Sequence, residues 1–299
     1  MNAVANRYDF VLFFDVADGN PNGDPDAGNL PRMDPETSQG LVSDVALKRK
    51  IRNYVAMVKE GEPGHGIYMT ERTVLNQTHA KAYEAVGLTP VAKKLPKEQD
   101  GRRITEWMCA NYFDIRAFGA VMTTEVNAGQ VRGPIQLAFA RSAEAIMPLE
   151  ISITRSSVTN KKDLEKERTM GRKHIVPYSL YRVHGFVNAK LAEKTGFSED
   201  DLELLWRALE NMFEFDRSAA RGEMAARKLF LFRHESALGS AQAHRLFERI
   251  SVARRIEDET VAIGDKRLHN LQPARAFRDY VIEADREGLP AGVELVERF

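Results

Sequence analysis

The sequence predicts an α+β fold of the ferredoxin-like class that carries two insertions. Segments typical of strands and helices follow one another in the order strand, helix, strand, strand, strand, helix, strand, which suggests a ferredoxin-like core. Two stretches, residues 60–130 and 159–177, interrupt that order. The composition is that of a globular chain, with 299 residues of which 43% are hydrophobic and 29% are charged. Disorder, collagen and coiled coil are therefore excluded as the main architecture.

The first strand and the first helix are the clearest elements. Residues 8–16 are mostly apolar and rich in aromatic and β-branched side chains, which is typical of a buried strand. Gly, Pro, Asn and Asp fill residues 18–35, so a loop is predicted next. Ser43 is placed to cap a helix over residues 44–59, and Asp44 in its first turn complements the helix dipole.

The first insertion, residues 60–130, is predicted to be helical. Residues 72–86 have helical periodicity, and so does a later group of apolar residues consisting of Trp107, Met108, Ile115 and Phe118. Cys109 lies within that pattern and is predicted to be a core residue. Because it is the only cysteine, an internal disulfide is excluded.

The second half of the chain returns to strands. Residues 135–140 and 149–154 alternate like two strands, which we expect to be joined by a short turn containing Pro148. Residues 181–187 alternate again. Ser198 and Asp201 have the spacing of a capping box, which predicts a helix from there to about Phe213. A last strand is predicted over residues 228–234.

The charge is balanced overall but segregated along the chain. There are 43 Lys and Arg against 43 Asp and Glu, yet residues 1–45 hold eight acidic and two basic residues, whereas residues 46–59 hold five basic residues and no acidic one. On the predicted helix, Leu47, Ile51, Tyr54 and Val58 share one face. The opposite face carries three cations, none of which has an acidic residue four positions later, so the pattern favours an unpartnered basic face: Lys48, Arg49 and Arg52.

A second basic feature lies in the insertion at residues 159–177. The segment over residues 168–174 contains four basic or ionisable side chains and no acid: Arg168, Arg172, Lys173 and His174. We interpret the insertion as a polar loop. Met170 is a flexible apolar side chain within it, which suggests a wedge against a nucleic-acid base or a partner protein.

Two other classes of function stay open as alternatives. His174 or His184 could act as a general base in the cleavage of RNA, although the usual hydrolase, metalloprotease and phosphate-loop motifs are missing from the sequence. The loop over residues 18–26 matches the first half of a calcium-binding loop, but Asn29 stands where the bidentate glutamate belongs. We favour a turn-rich loop there.

The sequence carries no indication of a membrane protein or of export. Its apolar runs are shorter than the roughly 18 residues that a membrane-spanning helix needs. The N-terminus resembles a strand rather than a signal peptide. We therefore expect a cytoplasmic protein without membrane partners.

Several segments together resemble a known family. They are residues 20–24 (NPNGD), 43–52 (SDVALKRKIR), 114–120 (DIRAFGA), 132–136 (RGPIQ) and 168–174 (RTMGRKH). In these segments the chain resembles the backbone subunit of the type I-C CRISPR surveillance complex (Cascade), within the RAMP superfamily. The resemblance spans roughly residues 7–190, and the region after about residue 215 adds little to it.

The resemblance implies a division into palm, fingers and thumb. An RRM-like palm sheet would be formed by residues 1–59, 131–158 and 178–299, helical fingers by residues 60–130, and a thumb by residues 159–177. The RNP1 motif of RNA-binding domains is missing, and Arg182–Val187 only echoes it. Stacking of bases on the sheet is therefore not expected.

The resemblance also implies a function without catalysis, cofactor or metal. Copies of such a subunit stack along a CRISPR guide RNA (crRNA) as a helical filament, together with other type I-C Cascade subunits, and the guide then pairs with target DNA. The residues expected to bind RNA are Asn20, Asn22, Ser43, Lys48, Arg49, Arg52, Lys161, Lys162, Arg168, Met170, Arg172, Lys173 and His174. A guide of variable sequence has to be held by its backbone, which fits localised cations and wedges.

Overall fold

The computed structural model describes residues 2–163 and 169–299 and has a mixed α and β architecture. The strands are β1 (Tyr8–Gly19), β2 (Gly23–Asp24), β3 (Leu30–Pro31), β4 (Gln39–Val42), β5 (Gly119–Thr123), β6 (Asn127–Arg132), β7 (Ile135–Leu137), β8 (Ala140–Ala145), β9 (Leu149–Arg155), β10 (Thr169–Val187), β11 (Glu223–His234), β12 (Ile250–Ile256), β13 (Glu259–Ala262), β14 (Tyr280–Ala284) and β15 (Val293–Glu297). The helices are α1 (Asp44–Val58), α2 (Leu75–Ala85), α3 (Glu98–Asn111), α4 (Phe113–Phe118), α5 (Ala189–Thr195), α6 (Glu199–Phe215) and α7 (Ala243–Phe247).

A large antiparallel sheet organises the molecule, with the strand order β15-β11-β1-β10-β8-β4. β7 and β9 also pair with β10. In the register of β1 with β10, Phe10 lies opposite Gly185. A Cβ atom on Gly185 would lie 2.0 Å from the Phe10 ring, so only glycine leaves room for that ring at this position.

Both faces of the sheet are covered, which explains why β1 is almost continuously apolar. Phe10, Leu12 and Phe14 belong to the core that also includes buried side chains of α1 and α6. Val11 and Phe13 point to the other face. That face is covered by α7, β12 and β14 near the C-terminal end, a region for which the sequence pattern predicts no role.

The predicted N-termini of the two main helices are confirmed. Ser43 caps α1 by accepting a hydrogen bond from the backbone N–H of Ala46 at 3.3 Å. Ser198 and Asp201 form the predicted capping box of α6. The apolar face of α1 differs in two places from the prediction, because Val58 in the last turn is exposed and Lys50 is buried.

The insertion between α1 and β7 has a small core of its own. Tyr83, Ile104 and Met108 lie in it, and Cys109 is buried there as predicted. Burial raises the pKa of the Cys109 thiol to about 11, so this thiol stays protonated and unreactive at neutral pH. Besides the predicted helices, the insertion contains a hairpin of β5 and β6, which the helical pattern does not predict.

Two predictions about strands are wrong. Residues 135–140 do not form one strand, since β7 ends at Leu137 and β8 begins at Ala140. β9 does not pair with either of them but pairs with residues 169–175 of β10. The physical reason is the length of β10, whose 19 residues extend beyond Val176, the last residue in register with β1. We call β9 together with residues 169–175 the ribbon.

None of the helices within residues 2–163 and 169–299 combines the length and the apolar character needed to cross a membrane.

Candidate nucleic-acid interface

Two of the sequence segments predicted to bind RNA meet at the N-terminus of α1. Asn22 lies in the loop after β1, and its Oδ1 atom accepts hydrogen bonds from both the backbone N–H and the hydroxyl of Ser43, each at 2.9 Å. Ser43 in turn caps α1. The structure therefore brings the predicted residues Asn22 and Ser43 into direct contact and fixes the loop against the helix.

Asn20 acts inside this loop rather than at its surface. The residue is 6% exposed, and its side-chain amide donates to the backbone carbonyl of Asn29 at 2.7 Å. The backbone N–H of Asn20 donates to the carbonyl of Ala220 at 2.8 Å. Asn20 thus shapes the loop that carries Asn22.

The acidic side chains of the same loop also serve its internal structure. Asp24 accepts a hydrogen bond from the backbone N–H of Asp26 at 3.1 Å and lies 3.4 Å from the guanidinium of Arg32. Among residues 2–163 and 169–299, no group of three or more His, Cys, Asp or Glu side chains is arranged to hold a metal ion. Turns, hydrogen bonds and the pair of Asp24 with Arg32 give this loop its shape.

The cations on α1 all have carboxylate partners, so the prediction of an unpartnered basic face is wrong. Lys48 pairs with Asp44 at 2.9 Å, one turn back on the same helix. Arg49 pairs with Glu71. Arg52 Nε lies 2.8 Å from an oxygen of Asp114.

The three ion pairs differ in how accessible they are. The carboxylate side chains are 24% exposed at Asp44, 77% exposed at Glu71 and only 1% exposed at Asp114. An exposed carboxylate can return to water when its cation finds another anion, whereas a buried one would be left without a counter-ion. Lys48 and Arg49 can therefore exchange their partners for a phosphate, and Arg52 serves mainly to hold Asp114.

Asp114 and Phe118 organise this surface, although neither is among the residues predicted to bind RNA. Asp114 also accepts hydrogen bonds from the backbone N–H groups of Tyr68 at 2.8 Å and Met69 at 3.1 Å. The Lys48 ammonium and the Arg52 guanidinium lie 5.6 and 5.2 Å from the centre of the Phe118 ring. Asp114 and Phe118 both lie in the DIRAFGA segment. The family resemblance includes that segment but assigns no function to these two residues.

Lys50 lies on the buried side of α1. Its side chain is 1% exposed and pairs with Asp216, which also binds Arg221 Nε at 2.7 Å. Burial lowers the pKa of Lys50 to about 8, although the hydrogen bond with Asp216 opposes the shift. This cation faces the end of α6 and is separate from Lys48, Arg49 and Arg52.

The second predicted basic segment forms one strand of the ribbon rather than the expected loop. Met170 is 70% exposed, and Arg172 pairs with Glu150 at 3.0 Å. The Lys173 ammonium donates to the backbone carbonyl of Ala219. His174 is half-buried, and its Nδ1 atom has no hydrogen-bond partner within the described residues.

Three further predicted residues lie beyond the ribbon strands. Lys161 and Lys162 are exposed in a short 3-10 turn, Lys161–Asp163. Arg168 lies outside the described residues.

The ribbon has two chemically different faces, because residues directly opposite each other in an antiparallel pair share a face. Met170, Arg172 and His174 lie opposite Thr154, Ser152 and Glu150 and form the polar face. The other face carries Leu149, Ile151 and Ile153, which are 45%, 41% and 45% exposed, together with Lys173 opposite Ile151. Exposed apolar side chains in a row of this kind are typical of contact surfaces.

His184 is unsuited to the alternative role in RNA cleavage. Its Nε2 atom accepts a hydrogen bond from Arg182 Nε at 3.0 Å, and its ring stacks on Phe247 with 4.0 Å between the centroids. Burial, assisted by the charge of Arg182, lowers the pKa of His184 to about 4. The imidazole is therefore a weak base, and one of its nitrogens already accepts a hydrogen bond.

The comparisons with known proteins agree with the sequence resemblance at the level of the family. The family model of CRISPR-associated protein Cas7 matches residues 6–285. CRISPR-associated protein Cas7 of Haloferax volcanii is 27% identical in an alignment of 235 residues, which covers 69% of this chain and 65% of that protein. The chain thus matches slightly less than two thirds of the length of this relative.

One solved structure shares the fold at low sequence identity, and a second aligns more weakly. A chain of a CRISPR RNA-guided surveillance complex, pre-nicking, aligns with a TM-score of 0.50 and 15% identity, covering 76% of this chain and 78% of that one. A chain of another CRISPR RNA-guided surveillance complex aligns with a TM-score of 0.46 and 14% identity, covering 91% of this chain and 77% of that one. Since the family model covers nearly the whole sequence, the chain belongs to the CRISPR-associated protein Cas7 family.

Proposed function

We propose that this chain binds a CRISPR guide RNA and assembles, copy upon copy, into the helical backbone of a type I-C interference complex. The observation that carries the proposal is membership of the Cas7 family over residues 6–285. The type I-C assignment depends on the five sequence segments that resemble that subtype. In this role the subunit supports the recognition of complementary DNA in antiviral defence.

The strand order supports an RRM-like palm. Taken as β11-β1-β10-β8, the central sheet has the order 4-1-3-2 of a ferredoxin-like core, and α1 and α6 pack on one face. We assign the fingers to residues 60–130 and the thumb to the ribbon together with residues 159–177. Because C-terminal elements cover the other face of the sheet, bases would have to be held elsewhere than on the sheet.

The RNA would lie along the N-terminal part of α1. Asn22 and Ser43 offer polar groups there, and Lys48 and Arg49 can exchange Asp44 and Glu71 for phosphates. Phosphate contacts hold a strand without reading its sequence. A guide held in this way keeps its base edges free to pair with target DNA.

The ribbon would act between neighbouring copies. Its polar face presents Met170, 70% exposed, as a wedge against the RNA, while Leu149, Ile151 and Ile153 on the other face favour contact with a second copy of the chain. Within the described residues, β9 is paired with β10 on one side only. Such an edge is open to further pairing.

We further propose that the subunit is not an enzyme and needs no cofactor or metal. Its partners would be the guide RNA, target DNA bound through the guide, further copies of itself and the other type I-C subunits, all in the cytoplasm.

The test is co-expression of the chain with a guide RNA, followed by size-exclusion chromatography and electron microscopy. We expect a large particle whose absorbance ratio shows bound RNA. A monomer free of RNA under these conditions would overturn the proposal. Incubation of the purified protein with repeat RNA tests the enzymatic alternative, because discrete cleavage that disappears in His174→Ala would mark a nuclease.

A further inference from the structure

The loop between α6 and β11, residues 216–222, contacts three separate segments of the chain. The first contact is the ion pair of Asp216 with Lys50 of α1. Lys50 is 1% exposed, so the carboxylate is the counter-ion of a buried ammonium group. Arg221 of the same loop also binds Asp216, at 2.7 Å, which holds the carboxylate in place.

The second contact joins the loop to the end of β1. The carbonyl of Ala220 accepts the backbone N–H of Asn20 at 2.8 Å. The backbones approach so closely that a Cβ on Gly19 would lie 1.8 Å from the carbonyl oxygen of Arg221. Gly222 has a φ of +60°, and a Cβ there would lie 2.4 Å from the carbonyl oxygen of Ala17. Both glycines are required for this fit.

The third contact reaches the ribbon. The Lys173 ammonium donates a hydrogen bond to the carbonyl of Ala219. One short loop therefore binds the segment that carries Asn22, the helix that carries Lys48 and Arg49, and the strand that carries Met170. These three segments are far apart in sequence, and each is a proposed contact of the RNA.

We propose that the loop over residues 216–222 is the positioning element of the RNA site, fixing the loop after β1, helix α1 and the ribbon in one arrangement. The inference depends on the proposed RNA-binding function and adds the residues that pre-organise it. Pre-organised contacts bind more tightly because less ordering remains to be done when the ligand arrives. Asp216 is a positioning residue and not itself an RNA contact.

The direction in which Asp216→Asn changes the RNA affinity distinguishes a positioning role from a purely electrostatic effect. Removing an acidic group near a nucleic-acid site should strengthen RNA binding, because a repulsive charge is lost. Loss of positioning should weaken it. We expect Asp216→Asn to weaken the binding of a short fluorescent single-stranded RNA by about tenfold in a titration of the full chain. Asp216→Glu, which keeps the carboxylate, should recover part of the affinity.

A matched control lies at the end of α6. Glu210 is an exposed residue of the same helix and lies outside the loop over residues 216–222, so Glu210→Gln should leave the RNA affinity unchanged or slightly higher. Thermal unfolding of each variant establishes that the chain is folded. Unchanged or tighter RNA binding by folded Asp216→Asn would overturn the positioning role and leave the proposed function intact.

A double-mutant cycle keeps the test independent of how well Asp216→Asn folds. Arg49→Ala on α1 and Met170→Ala on the ribbon change side chains that are exposed and distant in sequence. If the loop couples their segments, their combined effect on the RNA dissociation constant should differ from the product of the single effects by at least about threefold. Simple multiplication of the two effects would overturn the inference. A wild-type chain that fails to bind RNA would overturn both the inference and the proposed function.

Discussion

Lys48 and Arg49 are ion-paired cations that we propose as binding groups for RNA. The pair of Arg49 with Glu71 is exposed to water, and ion pairs of this kind contribute little to stability. The pair of Lys48 with Asp44 is less exposed, but its carboxylate still reaches water. Exchanging such a carboxylate for a phosphate therefore costs little. Arg52 differs because its partner Asp114 is buried, and leaving a buried carboxylate oxygen without its donor costs about 1–3 kcal/mol.

The first prediction concerns these two exchangeable cations. For single strands the logarithm of affinity falls with the logarithm of salt by about 0.7 per phosphate neutralised, so Lys48→Ala combined with Arg49→Ala should flatten the slope by about 1.4 per subunit. The change should be the same for guides of unrelated sequence, because phosphates carry no base information. Fluorescence titrations of RNA over a range of salt concentrations measure the slope.

The control removes two cations that are paired in the same way on other helices. Arg103 pairs with Asp100 on α3, and Lys190 pairs with Glu193 on α5. Arg103→Ala combined with Lys190→Ala should leave the slope unchanged. If both double variants flatten the slope equally, the effect belongs to overall charge and not to α1.

The second prediction concerns the buried pair at the start of α6. Arg116 donates two hydrogen bonds to Asp201, at 2.7 and 2.9 Å, and Ser198 adds a backbone donor. Burial alone would raise the pKa of Asp201, but these donors and the charge of Arg116 outweigh it and lower the pKa. Asp201 therefore loses its proton more readily in the folded chain than in the unfolded chain. Its contribution to the free energy of unfolding is present above about pH 4 and is lost as the pH falls further.

Asp201→Asn should therefore lower the free energy of unfolding at pH 7 by about 3–5 kcal/mol. The difference from wild type should shrink below about pH 4, where Asp201 of the unfolded wild-type chain becomes protonated first and that of the folded chain follows at lower pH. Urea unfolding at pH 7, 4 and 3 measures it, with the exposed neighbour Asp200→Asn as the control. A difference that stays constant down to pH 3 would show that the charge of Asp201 does not matter.

At the scale of elements, the ribbon depends on the palm but the palm does not depend on the ribbon. The side chains of β9 are exposed along its whole length, and the strand pairs only with residues 169–175 of β10 among the described residues. β10 becomes buried from Ile175, the last residue of the ribbon, and is fully buried at Val176. A deletion limited to residues 161–174 would leave β9 without its partner, so the whole ribbon has to be removed together.

The third prediction follows from that independence. Replacing residues 150–174 by a short Gly-Ser linker should leave the sheet folded, because core side chains such as Phe14 and Val176 lie outside the deletion. Assembly on guide RNA should be lost. Circular dichroism reports the fold, and size-exclusion chromatography of the co-expressed chain and RNA reports the assembly. Normal particles from this variant would exclude the ribbon as the thumb.

The elements that the sequence predicts well are those with a strong local pattern. β1, α1, α6 and β11 have clear periodicity or caps, and each prediction agrees with the structure to within a few residues. The pairing of β9 is not predictable in this way, because it depends on how far β10 extends beyond the sheet, which no local pattern encodes. The hairpin of β5 and β6 escapes prediction because it lies within a stretch whose pattern is otherwise helical.

The same distinction applies to the candidate site. The pairing of Lys48 with Asp44 follows from their spacing of four residues and was predictable. The partners of Arg49, Arg52 and Lys50 lie 22, 62 and 166 residues away in the sequence, so only the folded chain reveals them. The same holds for Asn22 and Ser43, which are 21 residues apart: the sequence marks both as candidates, but only the fold shows that they touch.

At the scale of the whole molecule, zero net charge favours association of copies, since like molecules of high charge repel one another. The exposed apolar side chains of the ribbon also favour the association of copies. A contact between two different surfaces of the same chain is heterologous and can repeat without limit, which generates a helical filament.

The fourth prediction places charges on that apolar face. Ile151→Asp combined with Ile153→Asp should prevent assembly of copies while leaving each chain folded, because the two side chains are 41% and 45% exposed. Sedimentation velocity of the chain with guide RNA measures the size of the assembly. Val121→Asp, which places a charge on a 70% exposed apolar residue of β5, is the control and should assemble normally. Full assembly of the double variant would exclude this face as a contact between copies.

The order of strands in the sheet also has a consequence for protein synthesis. β1 leaves the ribosome early, but it pairs with β10 and β11, in registers that join Gly19 to Val176 and Tyr8 to Arg233. At synthesis rates of about 5–20 residues per second, roughly 10–40 s pass before both neighbours exist. During that interval the nascent chain exposes an apolar strand with two open edges, which is a target for chaperones and for aggregation. Translation that stalls before residue 234 should therefore yield insoluble fragments, whereas the completed chain closes the sheet around β1.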